Sequence, residues 1–192
     1  MRELIKTLYP TFRRWSEKGS VWLISDTHFD DPDRELMGYE LTTDEHFKKI
    51  KDVCHKNDTL IHLGDVGNKE YFKEIKSHKV LIRGNHDHKP GYYEDFFDEI
   101  YNGPLFIADK ILLSHEPIYG LLWCINLHGH THRLVNKELE THICICPNVM
   151  NYLPINLGKI IEDGVLANIE NIHRVTIDRA IGNVKDNNRY EN

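Results

Sequence analysis

The sequence lacks long apolar runs and an excess of positive charge, and each absence removes a class of protein. Its first twenty residues have no uninterrupted apolar core of the kind found in signal peptides, and later runs such as GLLWCI are far shorter than a membrane span. We therefore expect a cytoplasmic protein without membrane contact. The net charge of −6 argues against a general grip on nucleic acid, which needs many Lys and Arg side chains. A phosphate-handling site would then need local positive charge, which bound metal ions could supply.

Paired-cysteine motifs, low-complexity tracts and internal repeats are also missing. The four cysteines include no C-x-x-C pair, and we expect all of them to be reduced core residues: Cys54, Cys124, Cys144 and Cys146. The chain of 192 residues suits one globular domain over its whole length. Residues 1–20 would form an N-terminal extension, with an amphipathic helix carrying Leu8, Phe12 and Trp15. Residues from about 182 to 192 would form a polar tail.

What is present is an alternation of strand-like and helix-like segments in the first half of the chain. Strands are predicted at 21–25, 59–63 and 79–83, with helices between them at 42–57 and 69–77. This βαβαβ order favours a largely parallel sheet and an α/β fold.

The second half changes character. Four strand-like segments, PLFIA, KILLSH, CINLHG and HICICPNV, are separated by short connections, which indicates antiparallel or mixed pairing. A hairpin turn is predicted at 108–110, and a helix at 157–172 that could break at Gly164.

Polar side chains with metal-ligand chemistry follow five of these strands. They are Asp26, His28, Asp65, Asn85, His86, Asp87, His115, His130 and His132. Because the carboxyl ends of parallel strands meet at one edge of a sheet, these groups should converge. Mixed oxygen and nitrogen ligands suit Mn²⁺, Fe²⁺, Zn²⁺ or Ni²⁺ rather than a thiolate-rich structural zinc site. The number of ligands exceeds what one ion usually takes, so two divalent metal ions sharing a carboxylate are expected.

Taken singly, each motif also fits a structural role: Asp26 in a turn, Asp65 in an Asx turn, His115 at a plain strand end. Their order is more informative. D-x-H, G-D, G-N-H-[DE], a lone His and G-H-x-H, spread over residues 21–158, resemble the calcineurin-like metallophosphoesterases, and compact bacterial and phage-type members in particular. The resemblance implies a four-layer αββα sandwich, two mixed β-sheets flanked by helices.

The resemblance also implies a role for each residue. Asp26, His28 and His132 would hold the first metal, and we name them the first ligand set. Asn85, His115 and His130, the second ligand set, would hold the second metal, and Asp65 would bridge both. His86 would act as general acid or contact the phosphate, with Asp87 orienting its ring. The reaction would be in-line attack on phosphorus by a metal-bridging hydroxide.

The implied substrate is a phosphate ester of a small molecule or a nucleotide-like compound. The block GDVGNKE lacks the Arg of the G-D-x-x-D-R-G motif that clamps phosphate in phosphoprotein phosphatases, which argues against that class. The resemblance to the compact members, which favour diester model substrates, implies a phosphodiesterase. A phosphomonoesterase acting on a small molecule or a phosphoprotein is the nearer alternative. A non-catalytic metal-binding scaffold on the same fold is the alternative from another class. The oligomeric state has no signature in the sequence.

The remaining histidines match no ligand position. His62 and His128 each precede the glycine of a motif, and we expect both to pack or to support ligands. The others are expected at the surface or in packing, and His88 could touch substrate from the rim: His46, His55, His78, His88, His142 and His173.

Overall fold

The computed structural model describes residues 19–107, 110–121, 123–133, 141–167 and 169. The predicted N-terminal amphipathic helix, most of the hairpin turn at 108–110, His173 and the polar tail lie outside the described residues.

Four strands from the first half of the chain and one short strand from the second half build a five-stranded sheet. Its order is β4-β3-β2-β1-β9, with strands β1 (Val21–Ile24), β2 (Thr59–His62), β3 (His78–Ile82), β4 (Glu99–Tyr101) and β9 (Ile155–Asn156). The first four strands are parallel, which confirms the prediction from the βαβαβ order. The edge strand β9 returns from the end of the described chain and pairs antiparallel with β1.

The second half forms a four-stranded sheet in chain order. Its strands are β5 (Leu105–Ile107), β6 (Ile111–Ser114), β7 (Ile125–His128) and β8 (His142–Cys144). β5 pairs antiparallel with β6, whereas β6, β7 and β8 are parallel, so the sheet is mixed as predicted. The strand predicted at 142–149 ends at Cys144, ahead of a turn at 147–150 that starts with Pro147.

The two sheets share one hydrophobic core. Alternate residues of β1, β2 and β3 pack in the same buried cluster as alternate residues of β5, β6 and β7, which places the sheets face to face. The members with the least exposure are Leu23, Ile61, Leu63, Val80, Leu113 and Leu127. A second cluster covers the opposite face of the first sheet.

Helices are few and short. α1 (Thr43–Val53) begins with a capping box between Thr42 and Glu45 and buries Phe47 and Ile50 against the first sheet. The helix predicted at 69–77 is a 3₁₀ helix at Lys69–Lys73.

α2 (Leu157–Glu162) follows β9 directly and ends earlier than the predicted helix at 157–172. Gly164 has a φ of +90°, and its amide and that of Val165 bond back to the carbonyls of Ile161 and Ile160, a Schellman ending. The described helices lie against the first sheet. None of them is both long and apolar enough to cross a membrane.

Candidate metal centre

The loops that follow β1, β2, β3, β6 and β7 meet at one end of the two sheets. The loop after β1 is bonded to the loop after β2 through Asp26 N to Gly64 O at 2.8 Å and His28 N to Asp65 O at 3.0 Å. The loops after β6 and β7 are joined by Gly129 N to His115 O at 2.8 Å. All seven ligand positions expected from the sequence are therefore brought into one region.

Five of these seven residues have left-handed backbones. Their φ values are 46° for Asp26, 40° for His28, 59° for Asp65, 67° for His130 and 51° for His132. A non-glycine residue in this region costs about 1–3 kcal/mol and persists only where the surroundings impose it. The fold thus accepts strain at the positions where polar side chains must turn inward.

Two glycines let the loops approach each other this closely. A Cβ at Gly129 would overlap the Asp26 carboxylate and the Ser25 hydroxyl, and a Cβ at Gly84 would overlap Oδ1 of Asp65. The glycines of the G-H-x-H and G-N-H-D blocks therefore serve close backbone contact with the two carboxylates.

The first ligand set lies deep in the end of the sandwich. Nε2 of His132 is 3.4 Å from Oδ1 of Asp26, and Nε2 of His28 is 3.6 Å from Oδ2 of Asp65. The second ring nitrogens are held by protein groups: His28 Nδ1 lies 3.1 Å from Asp31 Oδ2, and His132 Nδ1 lies 3.3 Å from the Tyr39 hydroxyl. These contacts leave Nε2 of both rings directed at the carboxylates, as in metal-bound histidines.

The second ligand set gathers around the same bridging carboxylate. Oδ1 of Asn85 is 2.7 Å from His115 Nε2 and 3.0 Å from His130 Nδ1, and the two imidazole nitrogens are 3.2 Å apart. His115 Nε2 also lies 3.2 Å from Asp65 Oδ2, while its Nδ1 bonds to the carbonyl of Leu63 at 2.9 Å. Asp65 therefore contacts both ligand sets.

These side chains fit metal ions by an independent criterion. Nε2 of His28 is buried and has no hydrogen-bond partner among the described residues, although it points at Asp65. A cation beside Asp65 would provide the partner that such a buried atom needs. His46 Nδ1 and His128 Nε2 are also without a partner among the described residues, but they belong to none of the candidate metal-binding groups. Three groups have ligand atoms within 4.8 Å of one another: Asp26/His28/Asp65, Asp65/His115/His130 and Asp26/His132/Cys146.

Neighbouring groups keep the carboxylates of Asp26 and Asp65 ionised by lowering the pKa of each. Burial opposes the charge of Asp26, but the hydrogen bond with His132 and the nearby His115 outweigh it and hold the pKa of Asp26 well below its usual range. Burial also disfavours charge on His115, yet its hydrogen bond with Asp65 and the charge of Asp26 raise its pKa to about 9. Cations would find deprotonated oxygen ligands here and would compete with the proton on His115.

His86 and Asp87 differ in their surroundings. His86 is exposed, its backbone N–H donates to Asp65 Oδ1 at 2.9 Å, and its ring lies 5.6 Å from that of His28. The buried Asp87 accepts hydrogen bonds from the backbone N–H groups of Asp65, Val66 and Gly84 and from the Tyr93 hydroxyl, at 2.8 to 3.0 Å. The contact expected between Asp87 and the His86 ring is not among the hydrogen bonds of the described residues. Asp87 instead ties the loops after β2 and β3 together.

His62 and His128 belong to none of the candidate metal-binding groups of the described residues. Nδ1 of His62 accepts from Gly64 N at 3.1 Å, so its Nε2–H donates to Thr27 Oγ1 at 2.9 Å, and that hydroxyl donates to Val66 O. This chain of bonds fixes the loop between Asp26 and His28 against the loop after Asp65. His128 is fully buried and bonds through Nδ1 to Gly129 O at 2.8 Å.

Several supporting residues were missed by the sequence analysis. Asp31 follows His28 by three positions in THFDD, a spacing that could have indicated its role. Tyr39 and Cys146 carry no such signal, because they reach the site from distant parts of the chain. Cys146 was expected only to fill the core, yet its Sγ lies 3.3 Å from Asp26 Oδ2.

An open cleft of about 340 Å³ adjoins the second ligand set. Asn85 and His115 form part of its wall, and Arg83, Asn102 and Glu116 are further polar residues of its lining. A larger cavity of about 490 Å³ lies at the start of β1, beside α2, and contains none of the seven ligand positions. Of these two cavities, the smaller cleft is thus the one next to the candidate metal ligands.

The fold and site together define an α/β protein with two mixed sheets and, at one end, side-chain groups able to hold metal ions. No protein-family model matches the chain, and no curated protein matches its sequence.

Similar solved structures include AQ665 from Aquifex aeolicus, a protein of unknown function. It is 26% identical over 74% of this chain and 98% of its own, with a TM-score of 0.61. A nuclease, MPE from Pseudomonas putida, is 25% identical over 58% of this chain and 61% of its own, with a TM-score of 0.44. The likeness to AQ665 supports the α/β architecture, whereas the likeness to the nuclease is too low to carry an argument.

Proposed function

We propose that this chain is a two-metal phosphoesterase that hydrolyses phosphodiester bonds, built on the four-layer sandwich of the calcineurin-like metallophosphoesterases. One observation carries the proposal: seven potential ligands from five separate strand ends come together in one region, and the Asp65 carboxylate lies next to a histidine of each ligand set. Five of them have left-handed backbone conformations, which non-glycine residues adopt only where the surrounding structure imposes them.

In this proposal the first ligand set would hold one divalent ion and the second ligand set the other, with the Asp65 carboxylate available to both. The bound ions would supply Lewis acidity at the phosphoryl oxygens and activate a water molecule for attack on phosphorus. The protein's contribution is a prearranged pocket. Asp31, Tyr39 and Leu63 O hold the second ring nitrogens of three of the four candidate ligand histidines, His28, His132 and His115 respectively.

His86 is suited to handle the proton of the leaving group. Its backbone is fixed by the hydrogen bond to Asp65, while its imidazole is exposed and has no hydrogen bond within the described residues. A side chain placed in this way is free to donate a proton to the leaving oxygen of a bound ester. Asp87 contributes by holding the loop that carries His86 rather than by touching its ring.

The cleft beside Asn85 and His115 supports a diester over a monoester. A diester carries a second organic group, and a cleft of about 340 Å³ gives that group room next to the second ligand set. Its lining includes Arg83, whose guanidinium is fixed by hydrogen bonds to Asn102 Oδ1 and to the backbone carbonyls of Asp87 and His88. This polar lining is compatible with a small-molecule or nucleotide-like substrate.

The test compares bis-p-nitrophenyl phosphate with p-nitrophenyl phosphate, using protein loaded in turn with Mn²⁺, Fe²⁺, Zn²⁺, Ni²⁺ and Mg²⁺. We expect turnover with at least one metal and faster cleavage of the diester. The His86→Ala variant should keep its metal content and lose rate by about 10²- to 10⁴-fold. His55→Ala is the matched control and should keep the wild-type rate, because His55 is also exposed but follows α1 and belongs to none of the candidate metal-binding groups formed by the described residues.

Two results would overturn the proposal. Protein that binds two metals but cleaves neither ester with any of them would favour the non-catalytic scaffold. Faster cleavage of the monoester would favour a phosphomonoesterase. Loss of metal from His86→Ala would instead make His86 a ligand and remove it from the role of acid.

A further inference from the structure

The Asp26 carboxylate accepts from the adjacent Ser25 and from donors in two distant parts of the chain. Its Oδ2 accepts from the Ser25 hydroxyl, from the His130 backbone N–H at 3.0 Å and from Cys146 Sγ at 3.3 Å. Ser25, Asp26 and Cys146 are all fully buried. Three donors on one oxygen give a buried carboxylate the compensation that its desolvation demands.

The two oxygens of Asp26 therefore have different surroundings. Oδ1 shares the His130 N–H at 3.0 Å and faces Nε2 of His132 at 3.4 Å, within the first ligand set. Oδ2 faces Ser25, Cys146 and the Cα of Gly129, where a Cβ would overlap it. One oxygen is enclosed by protein and the other is presented to the ligand set.

We propose that Cys146 is a positioning residue of the metal centre: its S–H donates to Asp26 Oδ2 and holds the carboxylate so that Oδ1 faces the first metal. The inference rests on the proposed metal centre but not on the reaction proposed for it.

The local fold explains why a residue at 146 reaches Asp26. Ile145 N bonds to His128 O at 2.8 Å, so the chain beyond β8 continues alongside β7 and brings the next residue level with Gly129. The carbonyl of Cys146 then accepts from Val149 N and Met150 N at 3.0 Å, which anchors the following turn. Backbone hydrogen bonds thus fix the chain on both sides of the Cys146 side chain.

Two residues earlier, the Cys144 thiol interacts with that of Cys146 and also has a contact of its own. Its Sγ is 3.3 Å from the Thr131 hydroxyl, and its described hydrogen bonds do not include Asp26. The competing role for Cys146 is direct ligation, because Sγ belongs to a group with Asp26 and His132 whose ligand atoms lie within 4.8 Å. The experiment must separate a hydrogen-bond donor from a thiolate ligand.

Metal affinity and cobalt spectroscopy make that separation without an activity assay. Full-length wild type, Cys146→Ala and Cys146→Ser are titrated with Zn²⁺ and Co²⁺ against a chromophoric chelator, and bound metal is counted by elemental analysis. Cys124→Ala is the matched control, since Cys124 is equally buried and belongs to none of the metal-binding groups.

We expect Cys146→Ala to weaken one bound metal by about 10- to 100-fold, the usual effect of losing a group that supports a ligand. Cys146→Ser should recover most of that loss because its hydroxyl can still donate, and Cys124→Ala should match wild type. The cobalt spectrum of wild type should lack the near-ultraviolet charge-transfer band that a sulfur ligand produces.

Unchanged affinity in Cys146→Ala would overturn the proposal. So would a sulfur-to-cobalt band in wild type that disappears in Cys146→Ser, because Cys146 would then be a ligand. If Cys146→Ala does not fold, the spectra of wild type and Cys146→Ser still decide between the two roles. Failure of the proposed function would be distinct: normal metal affinities in a protein without esterase turnover.

Discussion

The two ligand sets are held in different ways although they share Asp65. In the first ligand set, Asp26 and His28 are almost completely buried, and both histidines have their second ring nitrogen held by another side chain. In the second ligand set, Asn85 and His130 are exposed, and only His115 is buried. One side of the centre is built into the core, and the other faces the cleft and solvent.

This difference should set the order in which metal ions bind and leave. Ligands that are already fixed lose little conformational freedom on binding, whereas exposed side chains must be ordered by the ion itself. We therefore expect a tightly held, slowly exchanging metal at the first ligand set. The second position should exchange faster and stay accessible to substrate.

The largest effect on this arrangement should come from Asp87→Ala. Asp87 joins the loop of Asp65 to the loop of Asn85 through four hydrogen bonds, and its loss would leave buried donors without acceptors. The free energy of unfolding should fall by about 3 kcal/mol or more, with loss of metal from both sides. Urea unfolding and elemental analysis measure these changes.

The control for this variant is Asp95→Ala. Asp95 is exposed and makes no described hydrogen bond or ion pair, so its replacement should change stability by less than about 0.5 kcal/mol. A comparably small loss in Asp87→Ala would contradict the anchoring role. That result would favour the role expected from the sequence, in which Asp87 orients the ring of His86.

A second prediction compares metal release from the two ligand sets directly. His28→Ala removes a buried ligand of the first side, and Asn85→Ala removes an exposed ligand of the second. Under chelator competition, Asn85→Ala should lose one metal quickly and keep the slowly exchanging one. His28→Ala should lose the slow component. If both variants release metal with the same time course, the sides do not differ as their burial indicates.

The sequence predicted which polar side chains would meet at one end of the sheets, but not the residues that support them. Each candidate ligand lies just beyond the end of a strand, so the local pattern located Asp26, Asp65 and His115 without tertiary information. Tyr39 meets His132 across 93 positions and Cys146 meets Asp26 across 120, separations that leave no periodic signal. Strands β4 and β9 escaped prediction because three and two residues are too few to show alternation.

The third prediction concerns the aromatic packing behind the first ligand set. His46 is buried between Phe29 and Tyr152, and Tyr152 packs against Tyr39, the partner of His132. Burial lowers the pKa of His46 from 6.5 to about 3. The unfolded chain thus binds this proton at a higher pH than the folded chain. The stability contributed by neutral His46 is complete above pH 6.5 and is lost as the pH falls towards 3.

Each pH unit in that window should cost about 1.4 kcal/mol through His46. Urea unfolding of wild type and His46→Leu at pH 7 and pH 5 measures the difference, because other titrating groups are common to both proteins. The slope should be shallower in His46→Leu and unchanged in His55→Leu, whose ring is exposed. Equal slopes in wild type and His46→Leu would mean that His46 is not held neutral by burial.

The smallest effect on metal content is expected from His128→Asn, beside a large one from His130→Ala. His128 and His130 stand two residues apart at the end of β7, so alternation alone would treat them alike. The structure separates them: His128 Nδ1 bonds to Gly129 O inside the core, whereas His130 Nδ1 faces Asn85 and His115. Elemental analysis should find unchanged metal in His128→Asn and one equivalent less in His130→Ala. Loss of metal from His128→Asn would mean that the metal site extends into β7, beyond Gly129. The buried side of the centre would then include one more ligand, His128.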